Sequence, residues 1–326
     1  MPLIGISLSL EERSAPEVVD AAAKAERAGF QAGWLSDHFH PWNNEQGNSP
    51  FVWSVLGAIS AVTSEIPWET AVTCPTMRIH PAIIAQAAAT TETLMPGRFR
   101  LGVGTGEALN EHILGDLWPR SEIRLEMLEE AIEVIRGLWE GELFSHRGEY
   151  YEVDQARIYS LPDAPPPIIV SAFHPKALEL AARAGEGFAT TKPDGESRAR
   201  YRELGGTGPT QGALKCCYGA DRDACIETAH RLWANEALPG SLAQILPTPE
   251  DFEQASTLVT PDKVAESVPC GPDPDEHIAA VQTYVDAGFD EIYIGHIGPD
   301  HDAFIDFYAR EVLPQFAGAA SVTAGR

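Results

Sequence analysis

Short apolar runs alternate with longer amphipathic segments along most of this chain, and no other feature limits its fold as strongly. The apolar run at residues 3–8 is followed by residues 16–29, where alanines recur with helical spacing and Gly29 can end the helix. The same pattern predicts strands at residues 3–8, 32–35, 70–73, 99–103, 168–171, 187–190, 213–218 and 291–295. It predicts helices at residues 16–29, 50–63, 81–94, 121–138, 175–184, 222–233, 275–287 and 301–316.

Eight strands that alternate with helices indicate a parallel sheet in an α/β protein. Closure into a (β/α)8 TIM barrel leaves those strands without open edges. The chain has 326 residues, and because one such barrel holds about 250 residues or more, we predict a single domain over residues 1–326. Two stretches interrupt the alternation, at about residues 141–167 and 236–270, and are interpreted as insertions or lids, with disordered linkers as the alternative.

The acidic composition limits the partners of this chain. Lys and Arg number 23 and Asp and Glu number 48, which gives a formal charge of −25. So acidic a surface repels nucleic acids and anionic membranes. The five cysteines lack paired CxxC spacing, and the first residues lack a secretory pattern, so we predict a cytoplasmic protein. The adjacent Cys216 and Cys217 are interpreted as packing residues of a strand. The tail at residues 317–326 is small and polar and is predicted to be disordered.

The second predicted strand is followed by a cluster of side chains suited to catalysis. Residues 36–42 read SDHFHPW and lie where a barrel places its active site, at the carboxyl ends of the strands. One alternative is an ordinary surface loop in which Asp37 caps a turn. Another is a metal site at His38 and His40, but the other strand ends offer few metal ligands, and we predict no metal.

A glycine-rich segment follows the fourth predicted strand. Residues 102–107 read GVGTGE, and glycines allow a backbone to approach another group closely. Glu107 is expected at the same rim as His38; the alternative is a glycine turn in which Glu107 caps the next segment. After the fifth strand, Lys176 near a helix start suits a phosphate, or marks an ordinary exposed helix.

The motifs SDHFHPW, CPTMRIHPAIIAQAAAT and GVGTGEALNE carry a family resemblance. They resemble the F420-dependent glucose-6-phosphate dehydrogenase group of the bacterial luciferase-like barrel superfamily, over residues 4 to about 316. The resemblance implies coenzyme F420, a homodimer, and His38 as the base on a substrate hydroxyl. It implies that Glu107 protonates the deazaflavin ring and that Trp42 and Glu11 help to hold the reacting centre.

The same resemblance implies a set of cofactor contacts. It places a cis peptide bond at Ala71–Val72 beneath the deazaflavin. The other expected contacts are Asp37, Cys74, Thr105, Gly106, Asn110, Phe173, His174, Lys176 and Ala177. Phe173 and His174 replace two glycines of the glucose-6-phosphate enzymes.

The substrate is where the chain departs from that group. Those enzymes hold the phosphate with two lysines and an arginine, and the matching places here are Asp194, a residue near Ala243, and Ser267. We therefore predict a small uncharged alcohol or sugar-type substrate in place of glucose 6-phosphate, with Thr191 and Lys192 near it.

Three other functions are alternatives to this one. An FMN-dependent luciferase-like monooxygenase would share the barrel. A metal-dependent hydrolase would use His38 and His40. A non-catalytic deazaflavin-binding protein would not need both His38 and Glu107.

Overall fold

A computed structural model describes residues 1–317, and its strands arise mainly from the short apolar runs. The strands in those residues are β1 (Leu3–Leu8), β2 (Gly33–Leu35), β3 (Trp68–Thr70), β4 (Phe99–Val103), β5 (Phe144–Arg147), β6 (Glu152–Ala156), β7 (Ile168–Ser171), β8 (Gly187–Thr190), β9 (Thr210–Cys216) and β10 (Glu291–His296). The residues of the predicted tail from 318 to 326 lie outside the described part.

The amphipathic segments form the helices. They are α1 (Ala15–Ala28), α2 (Val52–Ser60), α3 (Pro81–Leu94), α4 (Ala108–Glu111), α5 (Ser121–Trp139), α6 (Pro175–Ala184), α7 (Gly195–Glu203), α8 (Arg222–Trp233), α9 (Leu242–Ile245), α10 (Pro249–Ser256), α11 (Pro261–Ala265), α12 (Pro274–Asp286) and α13 (His301–Phe307). Within residues 1–317 none of these is long and apolar enough to cross a bilayer.

Eight strands close into a parallel barrel in the order β1-β10-β9-β8-β7-β4-β3-β2. This confirms the predicted (β/α)8 TIM barrel. Alternate residues of β1, such as Ile4 and Ile6, pack outward in the main hydrophobic core. Side chains that point into the barrel form a separate cluster. In it the rings of Trp34 of β2 and Tyr293 of β10 stack with centroids 4.2 Å apart.

The two predicted insertions contain regular structure. Strands β5 and β6 pair as an antiparallel hairpin within residues 141–167, and the Tyr151 hydroxyl after β5 donates to the carbonyl of Thr76 at 3.0 Å. Residues 236–270 hold α9, α10 and α11. The assignment of residues 1–326 to one domain stays a prediction.

Three predicted elements differ most from the structure. Strand β3 is predicted at residues 70–73 but spans Trp68–Thr70; the Ala71–Val72 peptide that follows is cis, and only an isolated bridge at Thr73 comes after it. Strand β9 begins at Thr210, three residues before its predicted start. The predicted helix at residues 301–316 changes to a π turn after Phe307 and then to a 3-10 turn.

Helix α7 was missed altogether. Its sequence, GESRARYRE, has no apolar period, so the periodicity argument cannot detect it. The Asp194 side chain caps it by accepting from the backbone N–H groups of Glu196 and Ser197. Local capping, and not an apolar stripe, marks where this helix begins.

Charged side chains fill part of the barrel interior. The Arg100 guanidinium lies 2.6 Å from a Glu291 oxygen and 3.8 Å from a Glu69 oxygen. The Gln211 amide donates to both carboxylates, at 2.8 Å to Glu69 and 3.0 Å to Glu291. Burial, with the nearby charge of Glu291, raises the pKa of Glu69 to about 8, although Arg100 opposes the shift. Glu69 is therefore protonated in the folded protein at neutral pH.

This protonation predicts a pH-dependent stability. The ordinary pKa of Glu69 is 4.5. The contribution of its protonated form to the free energy of unfolding is therefore fully present below that pH and is lost as the pH rises toward about 8. The loss is about 1.4 kcal/mol per pH unit within that window. We expect Glu69→Gln to remove this slope, so that its melting temperature relative to wild type rises between pH 5.5 and pH 7.5. Thermal unfolding at both pH values measures it, with the exposed Glu65→Gln as control. A difference that stays constant with pH would contradict the prediction.

Candidate active site

His38 is held by two acceptors at the carboxyl end of β2. Its Nδ1 lies 3.4 Å from a Glu11 carboxylate oxygen and 3.2 Å from the carbonyl of His40. Both partners only accept hydrogen bonds, so the proton of the neutral ring belongs on Nδ1. The Nε2 atom is then the nitrogen that can accept a proton from a substrate.

Glu11 is fixed and charged. Its second oxygen accepts hydrogen bonds from the hydroxyls of Ser9 at 2.5 Å and Ser36 at 2.8 Å. Burial disfavours its charge, yet His38 and these hydrogen bonds hold the pKa of Glu11 below the ordinary value. A buried carboxylate beside an imidazole both orients the ring and stabilises its protonated form.

Trp42 packs beside His38 and connects it to the second insertion. The two ring centroids are 4.9 Å apart, and the Trp42 ring meets Phe252 of α10 edge to face at 5.1 Å. The Trp42 backbone N–H donates to the Gln46 side chain at 2.8 Å. Trp42 is thus a neighbour of the imidazole, and its role at the reacting centre stays a prediction.

The glycines after β4 allow the chain to approach itself. A Cβ added at Gly104 would lie 2.6 Å from a methyl group of Val72, and one at Gly106 would lie 2.6 Å from the Cys74 sulfur. Gly106 also has a φ of 70°, which disfavours other residues. The close approach expected from these glycines is thus to the segment after β3, where the cis peptide bond at Ala71–Val72 is present as the resemblance implied.

Glu107 occupies the N-cap position of α4 at the same rim, makes no capping hydrogen bond with its side chain, and is half-buried. It is one of the acidic side chains that surround Glu111. Burial, with Asp37 and Glu107, raises the pKa of Glu111 to about 7 even though Arg78 opposes the shift. A proton can therefore be held by the carboxyl groups on this side of the rim near neutral pH.

Asp37 and Asn110 bind other parts of the protein. The Asp37 carboxylate accepts from the Thr73 hydroxyl at 2.7 Å and from the Arg78 guanidinium at 2.8 Å, with both charged side chains buried. The Asn110 side-chain oxygen accepts from the backbone N–H groups of residues 39 and 40. These contacts hold the loops after β2, β3 and β4 together. Their contact with a cofactor stays a prediction.

Most of the remaining predicted residues follow β7 and β8, across the mouth. Lys176 is exposed and lies 3.7 Å from the Glu122 carboxylate. Phe173 and His174 are exposed, Ala177 is buried, and Thr191 and Lys192 are exposed. Thr105 is half-buried after β4. The barrel thus brings all the predicted residues to one rim, but β3 and β4 separate this second group from β2.

The two histidines of the SDHFHPW motif do different work. While His38 faces Glu11, the His40 ring bonds the carbonyl of Leu109 at 2.9 Å. Within residues 1–317 no group of three or more His, Cys, Asp or Glu side chains is arranged to hold a metal ion. The histidines therefore do not converge on one point.

Sequence reasoning missed Arg78, which organises the rim. It pairs with Asp37 and also with Glu111, whose carboxylate accepts from the Arg78 backbone N–H at 2.8 Å. A signal was available, since Arg78 is the only Lys or Arg between residues 28 and 97. A lone cation between two acidic rim segments is the natural partner for their carboxylates.

A model of the luciferase-like monooxygenase family matches residues 4–291. The F420-dependent glucose-6-phosphate dehydrogenase of Microbacterium testaceum is 36% identical, with 95% of this chain and 96% of that protein covered. The enzyme of the same name from Nakamurella multipartita is 35% identical, with 95% of both covered. The chain belongs to the luciferase-like family.

A solved structure agrees with these relatives. An F420-dependent secondary alcohol dehydrogenase, in complex with an F420-acetone adduct, matches with a TM-score of 0.90 and 30% identity over 97% of this chain and 99% of its own. The coenzyme F420-dependent tetrahydromethanopterin reductase of Methanopyrus kandleri, 21% identical with a TM-score of 0.78, shares the fold. The predicted family is thereby confirmed.

Proposed function

We propose that this protein is an F420-dependent oxidoreductase that acts on the CH–OH group of a small uncharged alcohol or sugar-type substrate. One observation carries the proposal: a buried carboxylate, Glu11, orients the His38 imidazole at the mouth of the barrel. The oxidation of an alcohol requires a base for the hydroxyl proton. The relatives at 36% and 30% identity bear the names of F420-dependent dehydrogenases.

The side chains at the rim fit a deazaflavin. Such a cofactor, when bound, supplies a hydride acceptor or donor at C5. Its ring needs a flat support and a proton source near its polar edge. A side chain at Gly104 would collide with Val72, so the backbone after β4 carries none there, and Glu107 provides a carboxyl group nearby. The predicted contacts from Asp37 to Ala177 form the rest of the proposed binding surface.

His38 and Glu107 divide the proton chemistry. The Nε2 atom of His38 accepts the hydroxyl proton, and the Glu11 carboxylate stabilises the resulting imidazolium. Glu107 holds the proton that the reduced ring requires. Trp42 excludes water from the imidazole by packing on it. The same groups serve the reverse reaction by microscopic reversibility.

The substrate is proposed to be other than glucose 6-phosphate. Asp194 occupies one of the places where the resemblance expects a phosphate-binding lysine. Hydrogen bonds from Ser197 hold the pKa of Asp194 below its ordinary value. Its carboxylate is therefore charged and repels a phosphate dianion. A homodimer and a cytoplasmic location are further parts of the proposal and rest on the resemblance and on cysteine usage.

A fluorescence titration of the purified protein with F420, beside FMN and NADP, tests the proposal. We expect micromolar or tighter binding of F420 and none of comparable strength for the other two. Secondary alcohols and sugars would then be screened for loss of oxidised F420. Tight binding of FMN without F420 would support the monooxygenase instead. Turnover of glucose 6-phosphate at ordinary enzymatic efficiency would refute the substrate assignment.

A further inference from the structure

Lys215 rises from the barrel interior into the mouth. Ala213 and Tyr293 belong to the inward-facing cluster, and residues two positions further along each strand face the same side. Those residues are Lys215 and Gly295. A Cβ added at Gly295 would lie 3.6 Å from the Lys215 side chain and 3.7 Å from Ser7. The amine is therefore directed to the carboxyl end of the barrel, where His38 lies.

The charge of Lys215 is taken up by the second insertion. Its amine forms an ion pair with the Glu236 carboxylate, which belongs to the turn at Ala234–Ala237. The amine also lies 3.9 Å from the centroid of the Trp233 ring, a favourable cation–π distance. Only 23% of the Lys215 side chain is exposed.

Lys215, Glu236 and Trp233 are connected to the segment that orients His38, the proposed base. The Trp233 indole N–H donates to a Glu12 oxygen at 2.5 Å, and Glu12 follows directly after Glu11, which orients His38. Through Trp233 and Glu12, Lys215 and Glu236 are thus connected to the loop after β1 that carries Glu11. A substrate that enters the mouth meets a lysine whose positive charge is already paired with the Glu236 carboxylate.

We propose that Glu236 sets the charge preference of the substrate pocket, because its pairing with Lys215 makes the mouth selective for uncharged substrates over anionic ones. This inference rests on the proposed function and adds a residue that decides substrate class. An anion can use Lys215 only by displacing the Glu236 carboxylate, which costs the ion pair and leaves two like charges close together. An alcohol or ketone meets no such penalty.

Inorganic phosphate is the probe for this charge preference. The full chain is titrated with phosphate at low ionic strength, and the tryptophan fluorescence is followed because Trp233 lies against Lys215. We expect Glu236→Gln to bind phosphate about tenfold more tightly than wild type. The double variant Lys215→Gln/Glu236→Gln is expected to lose that gain.

Glu203→Gln is the matched control. It removes the same charge from an exposed pair with Arg200 at 3.2 Å on α7. An equal gain in this control, or a gain that persists in the double variant, would overturn the proposal. Titration of the same samples with F420 separates the two questions. Absence of F420 binding would reject the proposed function, while the phosphate titration alone decides the role of Glu236.

Discussion

We expect His38→Asn to lower kcat for hydride transfer by about 10²–10⁴-fold. Asparagine keeps a polar side chain beside Glu11 but has no atom that accepts a proton near neutral pH. The substrate hydroxyl then loses its proton only to water. F420 binding should change little. The His38 ring contacts Glu11 and the His40 carbonyl, and it is not among the predicted cofactor contacts. Stopped-flow reduction of F420 and an equilibrium titration measure the two quantities separately.

His40→Gln provides the control for this loss. The His40 ring bonds a backbone carbonyl, and a glutamine amide can donate the same bond. We expect its kcat to stay within a few-fold of wild type. Equal losses in both variants would show that the loop as a whole, and not the His38 base, limits the reaction. An unchanged kcat in His38→Asn would remove the histidine from its proposed role.

We expect Asp37→Ala to cost about 3 kcal/mol of the free energy of unfolding. The substitution leaves the Arg78 guanidinium buried without its 2.8 Å partner, and burial of an unpaired charge is costly. Glu111 compensates in part, since its carboxylate lies 3.5 Å from the Arg78 Nε. The melting temperature should fall by about 4 °C.

Asp302→Ala is the matched surface control. Asp302 pairs with Lys24 at 2.7 Å, but its side chain is 64% exposed, and such pairs contribute under about 1 kcal/mol. Thermal unfolding of both variants in one buffer gives the comparison. Equal shifts would contradict the view that the buried Asp37–Arg78 pair holds the rim together.

The fold was largely predictable because its signal is local. Each strand and each helix face shows its period within a few residues, and all eight predicted helices begin within two residues of their observed starts. The failures have local causes as well. Helix α7 has no apolar face, and β3 ends early at the cis peptide bond. The short helices of the second insertion have too few turns to show a period.

By itself the sequence determined the barrel and the rim that carries His38, Trp42 and Glu107, because parallel strands end on one side of a closed sheet. Only the tertiary structure decided their partners. Glu11 follows β1 and contacts His38, which follows the neighbouring strand β2. Glu236, at the start of the second insertion, pairs with Lys215 of β9. Such contacts depend on barrel register and on how insertions pack, and neither leaves a period in the sequence. The sequence is therefore enough to predict His38 as the base, while the orientation of its ring and the charge of the pocket depend on tertiary contacts.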